Sequence, residues 1–504
     1  MRLTSQQTDR AVGSLLGAAV GDALGVPYEY GSRPLDPVPA MHGGGLGNAA
    51  PGEWSDDTAM AVCIADVAAT GADLRTPAAL DEVAARFLRW YDDDPPDIGV
   101  QTRRVLGETR RRLRDGNGAG AAAVMREVAA DLHARTGRTA SNGSLMRTAP
   151  VALAHLGDPD AITEVARAVS ALTHADPVAG DACVLWCLAI DLAVRTGRLD
   201  VRVGLDRVDP MWGPLLDEAE RVDPAYYAAS NGWVVAALCA AWSAVSRSTS
   251  YADRVVRAVA GGGDTDTVAA IAGALLGATY GGSAVPAVWR RPLHGWPGLR
   301  ARDLVGLAVL AARGGRPDRA GWPSGPTVDY RRTSGEVVPH PDDPGVLLGG
   351  VGALRPGVAD AVVSLCRLGN AQVPVTADPR DHVEFWLVDD EDANLDAAAV
   401  LLDAAETVRD LRVEGKTVLV HCVHAHTRTP LVAAAYGVLV TGSSPRGALE
   451  RVAAVLPSAR PRRSLTAALV ERLNCQGWPG RPPAQSRTRR QARPAQPTGR
   501  TSTS

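Results

Sequence analysis

The sequence predicts a multidomain protein, with an all-α domain over residues 8–312 and a small α/β domain over residues 345–475. The chain has 504 residues, more than one hydrophobic core usually contains. Apolar residues of the first region recur at helical spacing, whereas those of the second form short runs that alternate with helices. A stretch rich in Gly, Pro, Arg and Asp separates them and predicts a linker over residues 313–344.

Several segments of the first region begin with Ser, Thr, Asp or Pro and end near Gly, as capped helices do. Strand-like alternation with β-branched residues is scarce there. The predicted helices span residues 11–24, 56–69, 77–91, 159–172, 180–196, 232–246 and 265–280.

The second region alternates short apolar runs with helical segments, which is the order typical of a small α/β domain. The predicted strands are residues 346–348, 361–365, 384–388 and 417–421, and the predicted helices are residues 395–412, 429–441 and 464–473. Residues 476–504 carry six arginines and no acid, which predicts a disordered tail. We interpret it as solvated, with nucleic-acid contact as the alternative.

Composition excludes some classes of partner. The net charge of −3 provides no field that would attract nucleic acid or a membrane. The seven cysteines show no paired spacing, which favours a reducing compartment over a disulfide framework. The N-terminus lacks a signal-peptide pattern, and we expect no apolar run long enough to cross a bilayer. The sequence therefore predicts a cytoplasmic protein without a membrane or nucleic-acid partner.

Two short segments concentrate oxygen ligands at the start of predicted helices. Helix capping needs only one such residue, and adjacent carboxylates repel one another unless a cation offsets their charge. Oxygen ligands favour Mg²⁺ or Mn²⁺ over Zn²⁺, and two clusters that meet would suit a pair of metal ions. The candidate residues are Ser55, Asp56 and Asp57 in the first segment and Asp264, Asp266 and Thr267 in the second.

These segments belong to a series of motifs in a fixed order. The motifs read GDALGVPYE, WSDDTAM, SNGSLMRTAP, THADP and GGDTDTVAAIAGALLGA. With them, residues 8–312 resemble the ADP-ribosylglycohydrolase family, which includes the enzyme that reactivates dinitrogenase reductase. The resemblance implies an all-helical fold with two Mg²⁺ ions, held by the six candidate ligands above.

The resemblance also implies residues that act on the substrate. Glu29 and Asp97 match family acids near the scissile bond and near the metal-coordinated water. Which of them acts as the base is left open, and an ordinary surface or capping acid is the alternative for each. His174, in the THADP motif, matches a family position near the ligand, although a histidine at a helix end is often structural.

The segment Ser141–Arg147 resembles the ADP-ribose loop of the family. A turn that contains Gly lets backbone N–H groups approach phosphate oxygens. We therefore expect Asn142, Gly143 and Ser144 to contact ADP-ribose, with the Asn142 side chain bonding to ribose or phosphate.

The implied reaction is hydrolysis at the anomeric carbon of ribose, with an acidic side chain assisting proton transfer. The expected substrate is an ADP-ribosylated protein or a small ADP-ribosyl metabolite. Analogy with bacterial relatives favours an arginine linkage, and a serine linkage is an alternative.

A second motif lies in the predicted α/β domain. Cys422, five intervening residues, Arg428 and Thr429 lie between a predicted strand and a predicted helix. The spacing resembles the phosphate-binding loop of protein tyrosine and dual-specificity phosphatases. Backbone N–H groups and a helix N-terminus would hold an anion there, and Arg428 would grip it with two donors. The general acid of that family corresponds to Asp390, with Asp389 next in preference, and the implied substrate is phosphorylated.

The loop departs from the phosphatase pattern at Ala425, where that family usually has Gly, so a degenerate loop that binds phosphate without catalysis is an alternative. A metal site built from His421, Cys422, His424 and His426 is disfavoured, because such close neighbours cannot all reach one ion. For the whole protein, the alternative function is an ADP-ribose-binding module that regulates an active C-terminal phosphatase.

Overall fold

The computed structural model describes residues 2–116, 120–247, 250–318 and 320–474. The predicted tail at residues 476–504 lies outside these ranges, as does Cys475. Residues 5–312 of the described chain form a helical unit, whose α-helices are α1 (Ser5–Gly25), α2 (Asp56–Ala68), α3 (Pro77–Asp92), α4 (Val100–Arg114), α5 (Ala121–Thr136), α6 (Ala149–Ala154), α7 (Pro159–Ser170), α8 (Pro177–Thr196), α9 (Trp212–Ala219), α10 (Val234–Ser246), α11 (Tyr251–Ala260), α12 (Thr265–Tyr280), α13 (Ala287–Arg290) and α14 (Ala301–Ala312).

All seven predicted helices of this region are present, with ends that differ by up to about one and a half turns. The prediction of an all-α region holds except for one hairpin, formed by strands β1 (His294–Gly295) and β2 (Leu299–Arg300). The largest side chains of the core include Trp90, Trp186 and Trp212, which are fully buried.

Glycines draw helix α1 onto helix α12 along their whole contact. A Cβ atom on Gly13 would lie 2.1 Å from the carbonyl oxygen of Gly277, and one on Gly17 would lie 2.3 Å from that of Gly273. At the end of α1, a Cβ on Gly25 would lie 2.3 Å from the Cα of Asp266. The two backbones therefore touch, and the C-terminal end of α1 is held against the N-terminal end of α12.

Two helices of the unit are long and apolar enough to cross a membrane, contrary to our expectation. They are α1 with the turn that follows it, over Ser5–Gly31, and α8. In the folded chain 100% of the apolar window of the first and 83% of that of the second are buried. Core helices of a large helical fold have the same length and composition.

The C-terminal unit is built on a five-stranded sheet with the order β3-β4-β7-β5-β6. Strand β3 is antiparallel to β4, and the other pairs are parallel. The elements are β3 (Val337–His340), β4 (Asp343–Gly350), β5 (Ala361–Ser364), β6 (His382–Glu384), α15 (Ala397–Val413), β7 (Val418–Cys422), α16 (Arg428–Thr441), α17 (Pro445–Val455) and α18 (Arg463–Asn474).

Three predictions for this region need correction. The predicted linker contains β3 and the start of β4, and its Trp322 is buried in the core of the helical unit. The strand predicted at residues 384–388 ends at Glu384; beyond it Phe385 and Leu387 stay in the C-terminal core, and Trp386 packs against the helical unit. Helix α17 was missed, since few of its residues are buried and its apolar pattern is weak.

The six described cysteines are buried and form no disulfide, as the spacing predicted.

Candidate functional site

Seven carboxylates from distant parts of the helical unit form one cluster. Asp22 comes from the last turns of α1, and Ser55, Asp56 and Asp57 come from the start of α2. Asp264, Asp266 and Thr267 come from the start of α12, which the glycine contact holds against α1. The structure therefore brings together the two segments that the sequence analysis selected, and Glu29 and Asp97 complete the set.

Asp266 belongs to two groups of three carboxylates. Ligand oxygens of Asp22, Asp57 and Asp266 lie within 4.8 Å of one another, and so do those of Glu29, Asp264 and Asp266. Each triad could hold a cation, and Asp266 is common to both triads.

Asp22 is the residue of this cluster that the sequence analysis missed. Its carboxylate is fully buried and accepts hydrogen bonds from the backbone N–H of Ser55 at 2.9 Å and from that of Thr58 at 3.0 Å. The Thr58 hydroxyl donates a third bond, at 2.6 Å. Asp22 therefore fixes the start of α2 beside α12. The available signal was a lone acid inside an apolar, small-residue helix.

Hydroxyl groups connect the first segment to the second. Ser55 caps α2, and its hydroxyl lies 2.9 Å from Oδ2 of Asp57. The hydroxyl of Thr267 lies 3.5 Å from the same oxygen. The other oxygen of Asp57, Oδ1, is buried without a hydrogen-bond partner. Both hydroxyls predicted as ligands thus lie beside one oxygen of Asp57, and its other oxygen is left unsatisfied.

The cluster carries negative charge that the protein does not neutralise. Within the described ranges, none of the seven carboxylates has an Arg, Lys or His at ion-pair distance. Burial, reinforced by neighbouring carboxylates, raises the pKa of Asp56 to about 8 and those of Asp57 and Asp266 well above their usual range. A bound cation would favour the charged carboxylates and so oppose these shifts.

Asp264 is held by two donors from other parts of the chain. Its Oδ2 accepts a hydrogen bond from Nδ2 of Asn142 at 2.8 Å and another from the hydroxyl of Tyr30 at 3.2 Å. The Asn142 amide also donates to the carbonyl oxygen of Asn231 at 2.9 Å. The predicted ADP-ribose loop is therefore connected directly to the carboxylate cluster.

The other residues predicted in this loop lie in different places. Gly143 lines the cleft above the cluster, and a Cβ there would lie 3.2 Å from the His174 ring. His174 lies behind the loop, with its ring nitrogens 2.7 Å from the hydroxyls of Ser141 and Thr173. Burial lowers the pKa of His174 well below 6.5, so the ring is neutral. The hydroxyl of Ser144 accepts a bond from Ser170 and also lies below the loop.

Glu29 and Asp97 occupy different positions around the cluster. Glu29 is one of the second triad, and its Oε2 is buried without a hydrogen-bond partner. Asp97, together with Asp56, lines two clefts, of about 480 Å³ and about 600 Å³. The smaller cleft contains Asn142 and Gly143, and the larger contains Trp54 and other residues near the β1–β2 hairpin. Asp97 therefore lies where the two clefts meet.

The cysteine loop follows the central strand of the C-terminal sheet. Cys422 is the last residue of β7, and α16 begins at Arg428. Ala425 has a φ of +57°, in the left-handed region that Gly adopts without strain. Position 425 therefore has a conformation that Gly adopts readily and that strains Ala.

The Arg428 side chain is held by backbone carbonyl groups of two other segments. Its Nη1 donates to the carbonyl oxygens of Leu365 at 2.7 Å and Leu387 at 2.8 Å, and its buried Nε has no hydrogen-bond partner. The hydroxyl of Thr429 lies 3.4 Å from the carbonyl oxygen of Gly349, so it faces β4. A buried arginine with an unused donor is a candidate contact for an oxyanion.

The two acids predicted beside this loop face different surroundings. Asp390 is exposed, at the start of a turn over Glu391–Ala393. Asp389 has a buried Oδ1 that lies 3.5 Å from Nε of Arg462. The inward carboxylate is thus that of Asp389, the second of the two in our preference.

The rival metal site at this loop has no support in the described part of the chain. His421 is buried and its Nε2 lies 2.7 Å from the hydroxyl of Ser364, whereas His424 and His426 are exposed. The groups of three potential ligands that lie close together contain none of these histidines.

Comparison with known proteins identifies the helical unit. The model of the family described as ADP-ribosylglycohydrolase matches residues 3–318. The chain belongs to the ADP-ribosylglycohydrolase family. It is therefore an enzyme of this class, as the motifs predicted, and the helical family fold predicted for its N-terminal region is confirmed. A simple ADP-ribose-binding module is correspondingly disfavoured.

Two relatives show how far the similarity to named ADP-ribosylglycohydrolases extends. The ADP-ribosylarginine hydrolase Tri1 of Pseudomonas putida (strain GB-1) is 33% identical over 295 residues, which are 57% of this chain and 75% of the relative. The ADP-ribosyl-(dinitrogen reductase) glycohydrolase of Rhodospirillum rubrum is 29% identical over 289 residues, which are 56% of this chain and 89% of the relative.

A phosphatase structure also resembles part of the chain. The crystal structure of human DUSP28 covers 27% of this chain and 90% of its own, with 22% identity and a TM-score of 0.23. This similarity is too low to argue from, so the role of the C-terminal unit depends on its own residues.

Proposed function

We propose that the helical unit is a Mg²⁺-dependent hydrolase that releases ADP-ribose from an arginine of an ADP-ribosylated protein. The observation that carries the proposal is the pair of carboxylate triads that share Asp266. The printed names of the two relatives above, an ADP-ribosylarginine hydrolase and a glycohydrolase of ADP-ribosyl-dinitrogen reductase, support the substrate class.

The residues fit a pair of hard cations. Every candidate ligand is an oxygen, and two of the buried oxygens, Asp57 Oδ1 and Glu29 Oε2, have no hydrogen-bond partner. The residues that would hold the ions are the predicted ligands Ser55, Asp56, Asp57, Asp264, Asp266 and Thr267, together with Asp22 and Glu29 of the two triads, with Mn²⁺ as a substitute for Mg²⁺. Asp22 also fixes the start of α2 through its bonds to Ser55 and Thr58.

We assign separate roles in binding and proton transfer to individual residues of the chain. When bound, Mg²⁺ supplies positive charge that offsets the carboxylates and lowers the pKa of water. Asn142 and the backbone at Gly143 orient ADP-ribose in the smaller cleft, beside Asp264. Asp97 lies where the two clefts meet, and we assign it the transfer of a proton between water and the leaving guanidine. Glu29 lies in the second triad and is assigned to the ion site.

A substitution at the shared carboxylate tests this proposal. Asp266→Asn should lower the release of ADP-ribose from an arginine-linked protein by more than about 100-fold, since loss even of outer-shell partners costs about 10–100-fold. Asp253→Asn is the matched control, because Asp253 is in the first turn of α11 as Asp266 is in that of α12, but is exposed. Comparable activities of parent and Asp266→Asn at saturating Mg²⁺ would refute the assignment.

For the C-terminal unit we propose a second activity, cysteine-dependent hydrolysis of a phosphate monoester. The left-handed Ala425 and the unused donor of Arg428 favour it. Cys422 would be the nucleophile, Arg428 would bind the phosphoryl oxygens, and an acid of the Asp389–Asp390 pair would protonate the leaving group. The inward carboxylate of Asp389 makes it the better choice.

A generic aryl phosphate tests the second activity. Cys422→Ser should abolish turnover, whereas Cys239→Ser, which removes a buried thiol of the helical unit, should leave turnover unchanged. Equal rates for the parent and Cys422→Ser would eliminate this role.

A further inference from the structure

The helical unit contacts the part of the C-terminal unit that carries the candidate general acid. We call residues 384–394 the acid segment. It follows β6 and precedes α15; its Phe385 and Leu387 are buried in the C-terminal core, whereas Trp386 between them faces the helical unit. Besides the ion pair between Glu384 and Arg302, it contacts the helical unit at three places.

The first two places involve Arg290, at the end of α13. Nη1 of Arg290 donates to the carbonyl oxygen of Glu384 at 2.8 Å. The guanidinium also lies over the rings of Phe385, at 4.9 Å, and Trp386, at 5.9 Å. Trp386 packs against the core of the helical unit. The start of the acid segment is therefore held by the helical unit instead of by a further strand.

The third place is the first turn of α1. Nε2 of Gln6 donates to the carbonyl oxygens of Asp392 at 3.0 Å and Asn394 at 3.1 Å. Asn394 in turn closes the acid segment on itself, since its side chain bonds to both the N–H and the carbonyl oxygen of Val388, at 2.9 Å and 3.0 Å. Gln6 thus holds the residue that closes the loop around Asp389 and Asp390.

The acid segment also touches the cysteine loop. The carbonyl oxygen of Leu387 accepts a hydrogen bond from Arg428, the candidate phosphate-binding residue. Contacts therefore run from α1 and α13, through the acid segment, to Arg428.

We propose that Gln6 is a positioning residue for the C-terminal site, so that the helical unit completes that site by fixing the acid segment. The proposal rests on the proposed phosphatase activity for its catalytic consequence. In the step concerned, the bond between Cys422 Sγ and phosphorus forms and the ester P–O bond breaks. The proton of the acid goes to the leaving oxygen, so misplacing the acid penalises poor leaving groups most.

Gln7 provides a matched control. Like Gln6 it is half-buried in the first turn of α1, but its side chain bonds only within the helical unit, to the carbonyl oxygen of Arg195 and the N–H of Thr4. The experiment compares Gln6→Ala, Gln7→Ala and the parent as full chains. It measures amide hydrogen exchange over residues 388–394 and the hydrolysis of phenyl phosphate and 4-nitrophenyl phosphate.

In Gln6→Ala we expect exchange over residues 388–394 to be at least about 10-fold faster than in the parent and in Gln7→Ala. The kcat for phenyl phosphate should fall about 10-fold and that for 4-nitrophenyl phosphate less than about 2-fold, with KM unchanged. The proposal would be overturned if amide exchange over residues 388–394 were unchanged in Gln6→Ala, or changed equally in Gln6→Ala and Gln7→Ala. Equal losses of kcat for the two esters would also overturn it. If the parent hydrolyses neither ester, the phosphatase proposal fails, and the exchange comparison alone decides whether Gln6 positions the segment.

Discussion

The two candidate sites of this protein are built in opposite ways. The carboxylate cluster is assembled from the ends of α1, α2 and α12, more than 200 residues apart, and its charge has no partner within the described residues. The cysteine loop is one continuous segment between β7 and α16, and Arg428 is held by backbone carbonyl groups. In our proposals the first site is completed by a cation, whereas the second is completed by a neighbouring part of the same chain.

The two sites also differ in where their unfavourable interactions lie. The carboxylates concentrate electrostatic repulsion in a place where glycines allow two backbones to touch. The cysteine loop places its strain at one residue, Ala425, whose φ is positive. A substitution at a glycine of the first site or at Ala425 of the second therefore changes one site and leaves the side chains of the other site unchanged.

The largest effect is expected from Gly25→Ala in the helical unit. The new Cβ would lie 2.3–2.6 Å from backbone atoms of Asp266 and Thr265, which cannot move as a flexible side chain does. Overpacking of this kind costs about 1–3 kcal/mol of unfolding free energy, and it should weaken Mg²⁺ binding as well. Denaturant unfolding and Mg²⁺ titration measure the two effects.

Gly306→Ala, inside α14, is the control for Gly25→Ala. Its new Cβ would meet only Pro323, at 3.9 Å, so this variant should gain about 0.5–1 kcal/mol from helix propensity. If both variants were equally stable and bound Mg²⁺ alike, the close contact of α1 and α12 would not be what assembles the cluster.

The stability of the two units should change with pH in opposite directions. Burial lowers the pKa values of His421 and His382 to about 3, whereas an unfolded histidine titrates near 6.5. The unfolded state therefore binds more protons, and the C-terminal unit should lose stability as the pH falls from 6.5 towards 3. His421→Gln should flatten this slope, and the exposed His424→Gln should leave it unchanged.

Without divalent ions, the carboxylate cluster should make the helical unit less stable as the pH rises. Burial raises the pKa of Asp56 to about 8, above that of an unfolded Asp, so the folded state binds more protons. The helical unit should then lose stability as the pH rises from about 4 to about 8 in a chelator, and Mg²⁺ should restore it. Amide exchange resolved by unit measures both slopes, and slopes of the same sign would contradict this contrast.

The smallest effect is expected from Ala425→Gly. Relief of the left-handed strain, about 1–2 kcal/mol, is partly offset by the greater freedom of Gly in the unfolded chain, about 0.5–1 kcal/mol. The net gain in stability should be below about 1.5 kcal/mol, and the rate with an aryl phosphate should not fall. Unfolding curves and the aryl phosphate assay check it, and a loss of stability would show that Ala425 is not strained.

The sequence predicted the helices and most members of the carboxylate cluster because their signals are local. Acids and hydroxyls at a helix start, such as Asp56 and Asp266, are visible in a few consecutive letters. Asp22 escaped because its importance comes from bonds to Ser55 and Thr58, more than 30 residues away. The positions of His174 and Ser144 beside Ser141 and Ser170 could not be predicted, because a motif does not tell which side of a loop a side chain faces.

The C-terminal unit was harder to predict for a physical reason. The strand expected at residues 384–388 has the right apolar composition, but the Glu384 carbonyl bonds to Arg290 and Trp386 packs against the helical core, so the strand ends at Glu384. Strand β3 was assigned to the linker because it lies among Gly, Pro and Asp residues and forms the edge of the sheet. Contacts between units are not encoded in local spacing.

Calorimetric titration of the metal-free chain with Mg²⁺ tests the central claim, that two triads sharing Asp266 hold a pair of ions. We predict two Mg²⁺ ions per chain for the parent and for Asp253→Asn, and loss of both from Asp266→Asn. Absence of binding to the parent, or two ions still bound by Asp266→Asn, would contradict it.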